Sequence, residues 1–264
     1  DSSTSRGLGD VYKRQVLTDK GGTGKSTMTR AIADRYQRDG VQALLVDGDG
    51  EVGQLYQFYC KVDADGNPVK QAPGDGVLTM RVTGEEKERD KLLAMLDYDL
   101  PVVLVDMPAA SLTALAKFDA EVGFFDELKR SGYRPTLINV LSPFQSSTRT
   151  VKQMMEMAGK DADYVAVINR WFGDDEDFYM WLGDAHNKPS AGRVMLPEYG
   201  GIEIELPKLQ AGVMVAIDDL MLKFGDACEH SSLTRPQRSR LIRWMKDTDA
   251  ELDKIADFIG LKGK

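Results

Sequence analysis

Eight residues, Lys20 to Thr27, constrain this chain more than any other stretch: KGGTGKST stands directly after the apolar Val16 and Leu17 and directly before a helical run. Gly21, Gly22 and Gly24, with Thr23 between them, let the backbone turn its N–H groups toward one point, and the helix that begins near Lys25 adds the positive end of its dipole. A strand, a glycine-rich turn and a helix in this order make a cradle for phosphate. In such a cradle Lys25 reaches the β and γ phosphates, the Ser26 hydroxyl enters the shell of a bound Mg²⁺, and Thr27 sits near the α phosphate.

The rest of the chain supplies the scaffold such a loop needs. Short apolar, β-branched runs recur at Val41 to Asp47, Gly76 to Val82, Pro101 to Asp106, Thr136 to Leu141, Tyr164 to Asn169 and Arg193 to Pro197. Runs of this kind suit strands buried on both faces. Helical stretches are predicted between and after them at Ser26 to Asp39, Glu85 to Leu96, Leu112 to Ser131, Ser146 to Gly159 and Pro207 to Phe224. The alternation predicts an α/β fold: a single doubly wound, mostly parallel sheet with helices on both faces. A long C-terminal helix is expected from Thr234, with Pro236 in its first turn and Leu241, Trp244, Met245, Leu252 and Ile255 at helical spacing. No Pro, Gly or Ser-rich linker divides the pattern, so one domain is expected over 16–264. The polar segment Lys61 to Gly76 reads as a surface loop.

Composition removes several classes. Hydrophobic residues at 42% provide for a buried core, and the mean hydropathy of −0.34 argues against a membrane span. Two cysteines, Cys60 and Cys228, and two histidines, His186 and His230, are too few for a disulfide framework or a histidine-rich metal site. A cytoplasmic location is expected. The net charge of −8 repels nucleic acid, so any DNA contact needs a local basic patch.

Ser5 to Gln15, SRGLGDVYKRQ, look like the translation of a transposon-end adapter used in sequencing-library preparation. Residues 1–15 are therefore expected to be adapter-derived, with the native N-terminus missing and the fold starting near Val16.

Position 20 sharpens the reading of the phosphate loop. An ordinary loop carries glycine where this chain has Asp19, and an extra lysine, Lys20, stands before Lys25. KGGTGKST thus resembles the deviant Walker A loop of the ParA/MinD family of ATPases. The resemblance implies ATP and Mg²⁺ as cofactors, and an ATP-dependent homodimer in which Lys20 reaches the partner's phosphates. LLVDGD at Leu44 to Asp49 resembles the family's second signature; Asp47 would help hold hydrated Mg²⁺ and Asp49 would position or activate the attacking water. VVLVDMPAA, from Val102 to Ala110, resembles the Walker B strand, with Asp106 holding Mg²⁺ through water. VINR at Val167 to Arg170 implies Asn169 against the adenine edge, and MLPEYG at Met195 to Gly200 implies Pro197 flanking the base.

After Asp49 this chain reads Gly50-Glu51-Val52-Gly53-Gln54, where chromosome-partition relatives carry Pro-Gln-Gly-Asn. The layout is more similar to plasmid TraL/StbB-type conjugal-transfer and stability ATPases. The implied function is a slow, partner-stimulated ATPase switch in plasmid partition or conjugal transfer, acting with an unidentified adaptor protein. The redox branch of the superfamily is excluded by cysteine placement, and the tyrosine-autokinase branch by the absence of tyrosine after Tyr199. Three alternatives remain: a small-molecule ligase or kinase, a nonhydrolysing scaffold, and a membrane-positioning ATPase. For the last, Ile255, Phe258, Ile259 and Leu261 would form the apolar stripe, but Asp253 and Asp257 interrupt its basic face and core packing is expected instead. Arg235, Arg238, Arg240, Arg243 and Lys246 form a basic cluster that is the candidate contact for nonspecific DNA.

Overall fold

The computed structural model describes residues 13–19, 22–109 and 111–261. Seven strands form one sheet: β1 (Lys13–Asp19), β2 (Ala43–Asp47), β3 (Val77–Thr79), β4 (Val102–Asp106), β5 (Tyr133–Leu141), β6 (Asp163–Asn169) and β7 (Ile202–Leu206). Their order is β3-β2-β4-β1-β5-β6-β7, and every pairing is parallel. The helices are α1 (Lys25–Asp39), α2 (Gln54–Tyr59), α3 (Glu86–Ala94), α4 (Ser111–Val122), α5 (Phe124–Arg130), α6 (Gln145–Ala158), α7 (Tyr179–Leu182), α8 (Ala191–Met195), α9 (Ala211–Asp219), α10 (Phe224–Ala227) and α11 (Arg235–Asp253). This is the expected α/β architecture, one doubly wound sheet with helices on both faces, and the sheet is fully parallel.

Period-two alternation sends each central strand into two cores. On β4, Val102 and Leu104 face the layer of α1, α2 and α9 to α11, while Val103 and Val105 face the layer of α3 to α7. Ile255, Phe258, Ile259 and Leu261 are all buried in the first layer, so the C-terminal apolar stripe packs inward. No helix among the described residues is long and apolar enough to cross a membrane.

Several expected elements differ. β1 begins at Lys13 rather than near Val16; Gln15 is buried, and Arg14 pairs with Asp163 at 2.5 Å. The stretch Leu112 to Ser131 is two helices, because Gly123 adopts a left-handed φ of 66° between them. The largest correction concerns Arg193 to Pro197, expected as a strand. It is helical: the Ser190 side chain accepts from Arg193 N and caps α8, and a 3₁₀ turn, Leu196–Tyr199, follows. The edge strand is instead Ile202–Leu206, whose register puts Ile202 opposite Val165 and Leu206 opposite Asn169.

Candidate functional site

The strand order reverses direction between β4 and β1, and α/β sheets bind ligands outside the carboxyl ends of strands at such a point. The loop from Gly22 to Gly24 leaves β1 there and turns into α1. The first helical bond runs from Met28 N to Gly24 O, so the amides of Lys25, Ser26 and Thr27 precede the ladder. Thr23 is buried, and Ser26 and Thr27 are half-buried. Lys20 and Gly21 lie outside the described residues.

Gly24 is required twice over. Its φ is +96°, and a Cβ there would stand 2.3 Å from the Asn169 side-chain nitrogen. Asn169, at the end of β6, donates from Nδ2 to Thr23 O at 2.7 Å, and its Oδ1 accepts from Trp171 N at 3.0 Å. It is 5% exposed and ties the sheet to the phosphate loop.

Beneath the loop sits a buried polar cluster. Lys25 Nζ lies 2.5 Å from Asp106 Oδ1, and the side chains are 5% and 3% exposed. The same oxygen accepts from Thr18 Oγ1 and Thr29 Oγ1, each at 3.1 Å, and the two hydroxyls are 2.9 Å apart. Sequence reasoning missed both threonines. Thr29 stands one helical turn after Lys25, and Thr18 pairs in register with Asp106, which are the signals that would have found them.

Asp47 is opposite Asp106 in register on the neighbouring strand, yet its surroundings differ. Its Oδ1 accepts from Asp49 N at 3.0 Å and its Oδ2 from Tyr56 N at 2.9 Å. Gly53 lies so close that a Cβ would fall 1.8 Å from Oδ1. Burial pushes the Asp47 carboxyl up to about 6; the Tyr56 amide opposes this, the Asp106 charge adds to it, and the Asp49 amide and Lys25 oppose it. Asp47 therefore braces the segment from Asp49 to Tyr56. Asp49 itself is exposed, at the same edge of the sheet.

Pro197 is not in this constellation. Its 3₁₀ turn precedes β7, and the neighbouring Tyr199 packs edge-on against Tyr164 at the start of β6, the opposite end of the strand from Asn169. The proline that leaves the carboxyl end of β7 is Pro207, level with the residue after Asn169.

Among the described residues no group of three or more His, Cys, Asp or Glu side chains forms a metal cage. That donor set fits Mg²⁺ held jointly with phosphate, which needs only a hydroxyl or one or two carboxylates from the protein, here Ser26 and Asp106.

The basic cluster on α11 is divided. Arg235, Arg240, Arg243 and Lys246 are exposed. Arg238 turns back and donates to His230 O and Leu233 O at 3.1 and 2.7 Å, so it secures the preceding turn. Among the described residues, Arg243 has one ion contact, to Asp247 at 3.8 Å.

No family model matches this chain. Among curated proteins, Protein MobD of Acidithiobacillus ferrooxidans is 23% identical over 237 residues, which cover 89% of this chain and 94% of MobD. Among solved structures, a chain of the MinC:MinD cell division protein complex of Aquifex aeolicus is similar at a TM-score of 0.45 and 16% identity, over 90% of this chain and 96% of that one. The signal recognition particle receptor FtsY of Elizabethkingia anophelis is similar at a TM-score of 0.40 and 11% identity, over 88% of this chain and 64% of that one.

Proposed function

We propose that this protein is a nucleotide-dependent switch that binds and slowly hydrolyses ATP and dimerises across the bound nucleotide. The observation that carries the reading is the buried Lys25–Asp106 pair at the foot of a glycine-rich loop and helix N-terminus. A cation so placed can exchange one anionic partner for another: Lys25 would leave Asp106 for phosphate, and Asp106 with Ser26 would hold Mg²⁺. Mg²⁺ held there would supply charge neutralisation to the phosphates. The amides of Lys25 to Thr27 and the backbone of Gly21 to Gly24 hold phosphate oxygens, and Asp49, exposed and fixed through Asp47, orients the attacking water. Asn169, Trp171 and the loop after Pro207 stand at the β6 and β7 side of the cradle, where the base would lie.

Dimerisation is supported by Val52, Phe144 and Trp171. All three are exposed large apolar residues on segments that leave the carboxyl ends of β2, β5 and β6, the edge that carries the phosphate loop. Lys20 from one subunit would reach the other's phosphates, so hydrolysis weakens the dimer. The task we assign is positioning or transferring plasmid DNA in the cytoplasm, with an adaptor protein and with the exposed α11 cations on duplex DNA.

The test is solution mass by light scattering of Asp49→Ala protein in Mg-ATP, Mg-ADP and Mg-GTP. A dimer in ATP alone supports the reading, and Lys20→Ala should then remain monomeric while still binding fluorescent ATP. One mass in all three nucleotides would refute the switch. Fast turnover stimulated by a small molecule would favour the ligase or kinase alternative.

A further inference from the structure

The outer face of α6 carries Gln145, Arg149, Lys152, Gln153 and Glu156, with Thr148 buried beneath them, and the segment from Tyr179 to Gly192 stands opposite it. Between them runs a groove of about 580 Å³, extending about 16 Å along the helix at 1.5 Å per residue. Its floor is set by a close approach: a Cβ on Gly192 would stand 3.2 Å from Thr148 O and 3.3 Å from Lys152 N.

The far wall is built, not draped. Trp181 is fully buried, and its indole N–H donates to Glu203 at 2.5 Å, which also accepts from Arg193 Nε at 3.0 Å. Asp184 accepts from the backbone of His186 and Asn187 at 2.7 Å each and from the Asn187 amide at 2.9 Å. Ser190 N closes the turn onto Trp181 O at 3.1 Å.

Across this preformed groove Arg149 and Lys188 are exposed, and neither makes an ion pair among the described residues. Lys152 shares the only carboxylate of the lining, Glu156, at 3.2 Å. Among the described residues the lining holds three cations against one anion, beside exposed Asp184 and the acidic run Asp174 to Asp177, on a chain whose net charge is −8. The lining mixes apolar surface, from Met180, Ala191 and the side-chain stems, with amides and cations, and it presents one aromatic ring, Tyr179, at 38% exposure. Cations that track a backbone beside an aromatic platform match the chemistry of a single nucleic-acid strand.

We propose that this groove binds single-stranded nucleic acid, with Arg149, Lys152 and Lys188 on phosphates and Tyr179 stacked on a base. The site is separate from the phosphate loop, so it is read without nucleotide and its failure leaves the switch untouched.

The experiment is fluorescence anisotropy of a labelled oligothymidine with the full chain, without nucleotide, from low to physiological salt. Arg149→Glu with Lys188→Glu should weaken binding at least tenfold and reduce the salt slope by about 1.4, at 0.7 per lost phosphate contact. Tyr179→Ala should weaken it roughly 5- to 140-fold, the range of one stacked base. Absence of wild-type binding, or an unchanged affinity in the Arg149/Lys188 variant, would overturn the proposal. Equal affinity for a duplex together with no effect of Tyr179→Ala would overturn the single-strand assignment.

Discussion

Lys25 and Asp106 face each other under the phosphate loop with almost no contact to solvent, and that geometry sets what each contributes to the fold. Removing one member of a buried pair strands the other at low dielectric, which costs about 3–5 kcal/mol. In Lys25→Met the Asp106 carboxylate keeps its two threonine donors, so the loss should fall at the low end, about 3 kcal/mol. Asp106→Asn leaves Lys25 with an amide oxygen, and a similar loss is expected. In the double variant no charge is stranded, so the combined loss should fall short of the sum by about 2 kcal/mol or more. Urea denaturation of the four proteins reads this directly, as midpoint shifts near 1 M for slopes of about 3 kcal/mol/M. Triphosphate added in EDTA should stabilise Asp106→Asn more than wild type, because phosphate no longer competes with Asp106 for Lys25. Single variants that each lose less than about 1 kcal/mol, or that add without coupling, would refute the exchange of anionic partners on which the proposed switch depends.

Gly53→Ala places a Cβ where the Asp47 carboxylate lies, so both amide bonds from Asp49 and Tyr56 must lengthen. The expected loss is about 2–3 kcal/mol by urea denaturation with faster hydrogen exchange at residues 49–56, and wild-type exchange there would refute the brace. Arg170 hydrogen-bonds Glu205 at 2.5 Å and holds its carboxyl below the usual range. A depressed folded value stabilises above the unfolded pKa and is lost as pH falls through the folded one. Glu205 is 45% exposed, so Glu205→Gln should cost less than about 1 kcal/mol at pH 7, with the gap in thermal midpoint closing by pH 3. Arg235→Glu with Arg243→Glu should abolish duplex retention in a low-salt gel shift; unchanged retention would move duplex contact away from α11.

The central strands were legible because burial on both faces leaves continuous apolar runs, as at Val102 to Asp106. The edge strand was not. In IEIEL, Ile204 and Leu206 face the core while Glu203 and Glu205 bind Arg193 and Arg170, so its alternation looks polar to a reader seeking apolar runs. Arg193 to Pro197 misled in the opposite direction. Its apolar content is divided between buried Leu196 and exposed Val194, and the cap at Ser190 was the signal that outweighed it. That displacement put Pro197 at the carboxyl end of a strand, where the structure has Pro207.

The two aspartates ending β2 and β4 mark where residue type stops being informative. They are paired in register, both buried, and both resemble metal-site carboxylates by motif. Asp106 faces an ammonium and two hydroxyls that can turn away when phosphate enters, whereas Asp47 faces backbone amides fixed by the chain itself. A group held by movable partners suits exchange, and a group held by amides suits positioning. The difference arises from Gly53, which permits the return of the chain over Asp47, and from the amide of Tyr56, which no side chain announces. Under the proposed function, Asp47 acts on the chemistry through Asp49. Replacing Asp47 should disturb where the attacking water is held while leaving the exchange of Lys25 between carboxylate and phosphate intact.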